Sequence, residues 1–294
     1  MIGNYLLLVL SVSVSVLGSS VNNHFSKEPP DIELTKTQAA GGKFLYNVFA
    51  SAAAMLVVAF FGGSLAVSPV TLGLGVLFGL CNGFSMISRT FALAEGPMSL
   101  TLLIASCGML IPTFAGVIFW QESVSLPQGI GVALMILALV LIMNVGVDGK
   151  LSVKWCLLSF GAFLCTGFIS ILQKVQQSSA YPEQRGGFLL VSFAVAFLMN
   201  GGMAAFCLRG HSPNLRRSVS GLATGCCNGA NHMLNLYLSG VIPAVIFFPL
   251  VNGGVIMLSG LVGMLFFREK CSRRQLAGFL LGVASILLIG GIFG

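Results

Sequence analysis

Apolar runs of about 20 residues, separated by short polar stretches, follow one another along nearly the whole chain of 294 residues. A helix of about 20 residues is what the hydrocarbon core of a bilayer requires. Only 8% of the residues are charged, against about 25% in a soluble domain, so the chain cannot cover a water-facing surface. Hydropathy and loop residues predict ten membrane-spanning segments, at 3–22, 44–65, 71–94, 98–120, 126–145, 153–175, 187–208, 219–239, 242–267 and 274–292.

These segments predict an all-α, polytopic membrane protein. Backbone polar groups are satisfied in lipid only within helices or closed barrels, and the runs are continuous rather than alternating, which excludes a barrel. The polar stretch 22–43 predicts an exposed loop or a short surface helix. The eight cysteines lie in or beside apolar segments, without paired spacing or neighbouring histidines. They are interpreted as core residues, and no metal site or disulfide framework is expected.

The second half of the chain repeats glycine and polar positions of the first half. The offset is 146 for Gly75, Gly79, Asn82, Gly83 and Gly108, and 147 for Gly116, Glu122, Gln128 and Gly131. A register held over several segments indicates a tandem duplication, with repeats at 1–147 and 148–294. Because each repeat has five segments, an odd number, the second repeat enters the membrane inverted. Inverted repeats are typical of secondary transporters, whose substrate site lies near the midplane between them.

Three repeated features have structural interpretations. Glycines at four-residue spacing on the third and eighth segments predict close contacts between helices. The Ser-x-x-Gln sequences that start at Ser125 and Ser272 have the form of a capping box. Glu122 and Glu269 each precede such a box by three residues. Either carboxylate could face a helix N-terminus or serve as a proton-coupling group.

Polar residues on the third and eighth segments form matching stripes, each on one helix face. Polar side chains inside a membrane are costly and normally face a bundle interior or water, so the stripes predict the walls of a central cavity. The alternatives are hydrogen bonds between helices and, for Arg89, snorkelling to the interface. Lys174, at the end of the sixth segment, is expected to snorkel. Two proline-containing pairs, Pro112 with Thr113 and Pro249 with Asn252, are expected at helix irregularities beside this cavity. The candidate substrate-binding residues are Asn82, Ser85, Arg89, Asn228, Asn231, His232 and Asn235.

The distribution of charge narrows the function. No Asp or Glu lies well inside a segment, and a site for organic cations normally offers a buried carboxylate, so a neutral, zwitterionic or anionic metabolite is favoured. With no intramembrane Asp, no HExxH and no GxSxG sequence, we expect no enzyme activity, no catalytic residue and no cofactor. The expected partners are a small-molecule substrate and membrane lipid, not nucleic acid, because the basic residues lie mostly in loops. We expect a monomer or a weak homodimer.

The ten segments, the five-plus-five inverted repeat and the twice-repeated Glu-x5-Gln-x2-Gly sequence (from Glu122 and from Glu269) resemble the drug/metabolite transporter superfamily, in particular its EamA-like branch. The resemblance covers essentially the whole chain. It implies that segments 3, 4, 8 and 9 help line a central cavity. The chain departs from the small multidrug branch, which relies on a carboxylate in its first helix, because segment 1 contains several serines but no Asp or Glu.

Orientation and location follow from the basic residues. Nearly all Lys and Arg lie in loops that follow odd-numbered segments, whereas Lys174 and Arg185 flank an even-numbered loop. The positive-inside rule therefore predicts that both termini lie outside the cytoplasm, while the family resemblance implies cytoplasmic termini. The predicted location is a bacterial cytoplasmic membrane. The predicted function is a secondary transporter of a small organic metabolite by alternating access; the alternatives are an exporter of multiple drugs or hydrophobic compounds and a membrane scaffold without transport.

Overall fold

The computed structural model describes residues 2–26, 36–142, 152–209, 218–266 and 272–290. Within these ranges the chain contains no strand, which confirms the all-α fold class. It forms eleven helices of ten residues or more: α1 (Ile2–Ser26), α2 (Lys36–Phe61), α3 (Pro69–Glu95), α4 (Met98–Cys107), α5 (Leu110–Phe119), α6 (Leu126–Ile142), α7 (Val153–Ser178), α8 (Arg185–Cys207), α9 (Gly221–Val241), α10 (Ala244–Phe266) and α11 (Arg273–Ile289).

Seven helical segments in the described ranges are long and apolar enough to cross a membrane. They are α1, α2, α3, α4 together with α5, α7, α8 and α10. The chain is therefore a multi-pass membrane protein. The other three predicted segments are α6 and α11, which have 17 residues each, and α9, which has 21 residues but carries several polar side chains.

The polar stretch 22–43 differs from its prediction at both ends. Helix α1 continues to Ser26, and α2 begins at Lys36; residues 27–35 lie outside the described part. A helix that leaves the hydrocarbon keeps its internal backbone hydrogen bonds whatever the polarity of its side chains. The end of an apolar run therefore does not mark the end of a helix.

The fourth predicted segment is broken between α4 and α5, at Gly108 and Met109. Pro112 lies four residues after Gly108, and a proline ring conflicts with the carbonyl four residues before it. A Cβ on Gly108 would lie 2.9 Å from the Phe163 carbonyl oxygen, so the absence of a side chain at Gly108 lets the chain approach α7 closely. The irregularity predicted near Pro112 is confirmed, whereas Pro249 lies within α10 without interrupting it.

The glycine stripes lie at close helix contacts, as predicted. Those of α3 face α8, and a Cβ on Gly79 would lie 2.6 Å from the Ser192 carbonyl oxygen. Those of α9 face α2, and a Cβ on Gly225 would lie 2.2 Å from the Ala50 carbonyl oxygen. Helix α3 also packs on α7, α1 on α9, and α6 on α11. These contacts fix four helices, α2, α3, α8 and α9, around the centre of the molecule.

Both predicted capping boxes are present. At α11, the Ser272 hydroxyl accepts from the Gln275 N–H while the Gln275 side chain accepts from the Ser272 N–H. At α6, Ser125 N–H donates to the Gln128 side-chain oxygen at 3.0 Å, and Gln128 N–H donates to the Ser125 hydroxyl at 3.4 Å. Each box satisfies N–H groups that the first turn of a helix leaves unpaired.

Candidate substrate cavity

A cavity of about 70 Å³ lies between α2, α3, α8 and α9, near the middle of each helix. This volume holds several water molecules. The residues that line the cavity are Ala50, Ser51, Asn82, Met86, Phe193, Asn228 and His232. Three of the seven predicted site residues are therefore brought together here. Helix α3 packs mainly on α7 and α8, whereas α9 packs mainly on α1 and α2. The cavity exists because neither α3 nor α9 fills the space between the two.

Asn82 and Asn228 reach the cavity from α3 and α9, and they are counterparts at the offset of 146. Neither side chain forms a hydrogen bond within the described ranges. An amide offers one acceptor and two N–H donors, and both residues are only partly buried. The two amides are thus available to a molecule in the cavity.

His232 is held by its surroundings in one orientation. Its ring meets Phe78 and Phe193 edge to face, with centroid distances of 5.7 and 5.5 Å. The buried Gln173 places its side-chain nitrogen 3.4 Å from His232 Nδ1. Because an amide nitrogen only donates, Nδ1 accepts, and the ring proton of the neutral imidazole lies on Nε2. His232 is therefore a hydrogen-bonded wall residue that can offer an N–H to a ligand.

Asn231 and Asn235 lie outside the lining and join α9 to α1. The Asn231 side-chain nitrogen donates to the Ser11 carbonyl oxygen at 2.8 Å, and the Asn235 side-chain nitrogen donates to the Asn231 side-chain oxygen at 2.8 Å. The Ser11 hydroxyl completes the network by donating to the Asn235 side-chain oxygen. Asn231 and Asn235 therefore form hydrogen bonds that connect helices, which is the alternative interpretation of the polar stripe.

Ser85 and Arg89 also lie outside the lining. Ser85 is 3% exposed. Arg89 is partly buried, and its Nε has neither solvent access nor a hydrogen-bond partner. Seven residues separate Arg89 from Asn82, which is about 10 Å along a helix. Arg89 thus lies further along α3, toward its C-terminal end, and does not form part of the cavity wall.

Lys174 does not snorkel to the interface, because a counter-charge is available inside the protein. Its Nζ lies 3.0 Å from Glu122 Oε1, and the two side chains are only 11% and 12% exposed. Lys174 also donates to the Ile242 carbonyl oxygen at 3.3 Å, and Glu122 Oε2 accepts from the Val245 N–H at 3.1 Å. Glu122 therefore faces a helix N-terminus as predicted, and the helix is α10. Its counterpart Glu269 lies outside the described residues.

Segments 4 and 9, which the family resemblance implied would help line a central cavity, contribute no residue to the lining of this one. The Thr113 hydroxyl donates to the Met109 carbonyl oxygen of the same segment, and the Asn252 side-chain nitrogen donates to the Phe248 carbonyl oxygen of α10. Helices α5 and α10 pack against each other instead. The walls that sequence reasoning missed come from α2 and α8, namely Ala50, Ser51 and Phe193. Met86, also missed, was signalled by its pairing with His232 at the offset of 146.

Neither a family model nor a curated protein matches this sequence. Solved structures do: 28 chains are similar. One of them, described as "Crystal structure of protein", superposes with a TM-score of 0.71 at 14% identity, covering 97% of this chain and 98% of its own. At this identity the likeness shows a shared fold over the full length and nothing about activity.

Proposed function

We propose that this chain is a secondary transporter, of the drug/metabolite transporter type, that moves a small organic metabolite by alternating access. The observation that carries the proposal is the pair of asparagines, Asn82 and Asn228, whose amides have no hydrogen-bond partner among the described residues and line a cavity near the middle of four helices. A scaffold has no use for two amides that face a cavity without a hydrogen-bond partner. A carrier needs such groups in order to exchange their hydrogen bonds between substrate and water.

Helix packing supports the inverted repeat on which alternating access would rest. If each segment is replaced by the one five segments further on, the contact of α3 with α8 becomes that of α9 with α2, and the contact of α3 with α7 becomes that of α9 with α1. Both pairs occur. The glycine stripes follow the same exchange, since those of α3 face α8 and those of α9 face α2. Such paired contacts are what two oppositely inserted copies would produce.

The face that carries Glu122 is where the proposed halves would separate. Glu122 lies in the turn between α5 and α6, whereas Val245, to which it bonds, begins α10. Gly116 approaches the same helix, because a Cβ there would lie 3.1 Å from that of Ala244. For the cavity to open toward this face, these contacts between the first and second halves must break.

The cavity wall supports a metabolite rather than an organic cation as substrate. No carboxylate belongs to the lining, whose polar groups are two amides, an imidazole and a hydroxyl. An exporter of hydrophobic compounds would depend on Phe193 and Met86 and be indifferent to the amides. The proposed setting is a bacterial cytoplasmic membrane, with the chain acting as a monomer or weak homodimer.

The test uses purified protein in liposomes. Metabolites of each charge class are first screened for thermal stabilisation, since a ligand that binds the folded state raises its stability, and hits are measured by counterflow. Asn82→Leu and Asn228→Leu should each weaken binding or uptake about tenfold, because a hydrogen bond to a ligand is worth about 0.5–1.5 kcal/mol, and up to about 3 kcal/mol for a charged ligand group.

Asn252→Leu is the matched control, because its amide bonds to its own helix outside the cavity. We expect this variant to transport normally. Equal uptake by all three variants would refute the site, and broad transport of hydrophobic compounds by all three would favour the exporter. If no solute of any class is stabilising or exchanged, the transport proposal fails.

A further inference from the structure

Arg89 is a cation for which the described fold provides no counter-charge. No hydrogen bond or ion pair joins its guanidinium to another described residue, and its Nε is sealed from solvent. An unpaired charge inside a membrane protein costs at least about 2.5 kcal/mol. Charged residues in such places are normally paired or face a water-filled path that a substrate uses.

Arg89 faces the interior of the protein rather than lipid. At 100° per residue it lies within about 20° of Asn82 around the axis of α3, and Asn82 and Met86 line the cavity. The opposite side of the helix carries Leu80 and Phe84, which are exposed by 43% and 50%. Snorkelling along the lipid surface therefore does not describe Arg89.

The carboxylates that could neutralise Arg89 are committed elsewhere. Within the described ranges, Glu122 pairs with Lys174 and Glu95 pairs with Lys154. The third, Glu183, is exposed in the loop before α8. The symmetry counterpart of Arg89 is Asn235, which is uncharged and whose amide forms hydrogen bonds to Ser11 and Asn231. Asn235 on α9 thus connects α9 to α1 by hydrogen bonds, whereas the guanidinium of Arg89 on α3 has no partner within the described ranges.

We propose that Arg89 recognises an oxyanion on the transported molecule, so that the substrate carries a carboxylate or a phosphate. This inference rests on the proposed transport function and narrows its substrate class. A guanidinium presents parallel N–H donors that match either group in bidentate fashion. The uncharged polar part of the same molecule would bond to Asn82, about 10 Å away along α3, and to Asn228 on the facing wall of the cavity.

The first experiment needs no knowledge of the natural substrate. Thermal unfolding of the purified protein is measured in phosphate, in acetate and in chloride at equal ionic strength. Phosphate or acetate should stabilise the wild type, and the affinity obtained from the concentration dependence should be at least tenfold weaker in Arg89→Gln. Arg89→Lys keeps the charge but loses the planar fork, and we expect it to retain a weaker response.

Arg185→Gln is the matched control, because Arg185 begins α8 and lies over the Tyr237 ring at 5.2 Å, away from the cavity. It should respond as the wild type does. In chloride, Arg89→Gln should melt no lower than the wild type, because the fold does not use this charge. An equal anion response in wild type, Arg89→Gln and Arg185→Gln would overturn the inference, as would the absence of a response in the wild type. If Arg89→Gln does not fold, the test uses Arg89→Lys instead. An anion affinity equal to that of the wild type in Arg89→Lys would overturn the role of the guanidinium.

The second experiment separates this inference from the transport proposal. Counterflow is measured for uridine against uridine monophosphate and for nicotinamide against nicotinate, two pairs that differ by an oxyanion. Preference for the phosphate or the carboxylate, lost in Arg89→Gln, supports the inference and identifies the group. If uridine or nicotinamide shows counterflow that depends on Asn228 but not on Arg89, the transport proposal stands. The inference that the substrate carries an oxyanion is then overturned. Anion binding without counterflow of any of the four compounds counts against transport.

Discussion

The ion pair between Glu122 and Lys174 allows a quantitative test of how this fold is held together. Two unit charges 3.0 Å apart attract each other by about 5 kcal/mol at an effective dielectric constant of about 20. Screening by solvent is small, because the side chains are only 11% and 12% exposed. Removing one partner of a buried pair leaves the other charge unpaired and costs about 3–5 kcal/mol.

We therefore expect Glu122→Gln to lower the free energy of unfolding by about 3–5 kcal/mol. Lys174→Met should cost less, because Glu122 would keep its bond to the Val245 N–H and its place at the N-terminus of α10. The double variant should lose less than the sum of the two, with a coupling energy of about 2–3 kcal/mol. The assay is equilibrium unfolding of the four proteins in bicelles.

Glu95 and Lys154 supply a matched control pair. Their charged atoms are 2.9 Å apart, but the side chains are 29% and 66% exposed. Because exposed pairs couple by about 1 kcal/mol or less, the cycle of Glu95→Gln and Lys154→Met should give a much smaller coupling energy. Equal coupling in the two cycles would refute the argument that burial, rather than distance, sets the strength of the Glu122–Lys174 pair.

Two further predictions concern packing and orientation. Gly225→Ala should destabilise the protein by at least about 1–3 kcal/mol, since its Cβ would lie 2.2 Å from the Ala50 carbonyl oxygen, whereas Gly202→Ala, with nothing within 4 Å, should be nearly neutral in the same unfolding assay. A reporter fused after Gly294 should be protected from cytoplasmic reagents, because the basic loops favour the other face; labelling of this reporter from the cytoplasm would contradict the charge rule for this chain.

The sequence predicts the helices well and the cavity walls only in part. Hydropathy locates the apolar helices because lipid imposes one length and one secondary structure on them. It fails at the helix ends within residues 22–43, because α1 and α2 extend beyond the apolar runs to Ser26 and from Lys36. Asn82, Asn228 and His232 were predicted from a shared face and a repeated spacing, and all three line the cavity. Asn231 belongs to the same repeated pattern, but its side chain forms a hydrogen bond to Ser11, more than 200 residues away in the chain, and does not line the cavity.

What the sequence by itself determined is the class of structure: apolar length requires membrane helices, glycine spacing marks where helices touch, and the pattern of charge leaves few ionisable groups in the membrane. Only the tertiary structure decided what each polar side chain does. Lys174 finds Glu122 and Asn235 finds Ser11, whereas Asn82, Asn228 and Arg89 find no partner within the described ranges. The physical reason is that a hydrogen bond or ion pair acts over about 3 Å, and which groups come that close depends on packing between helices distant in sequence.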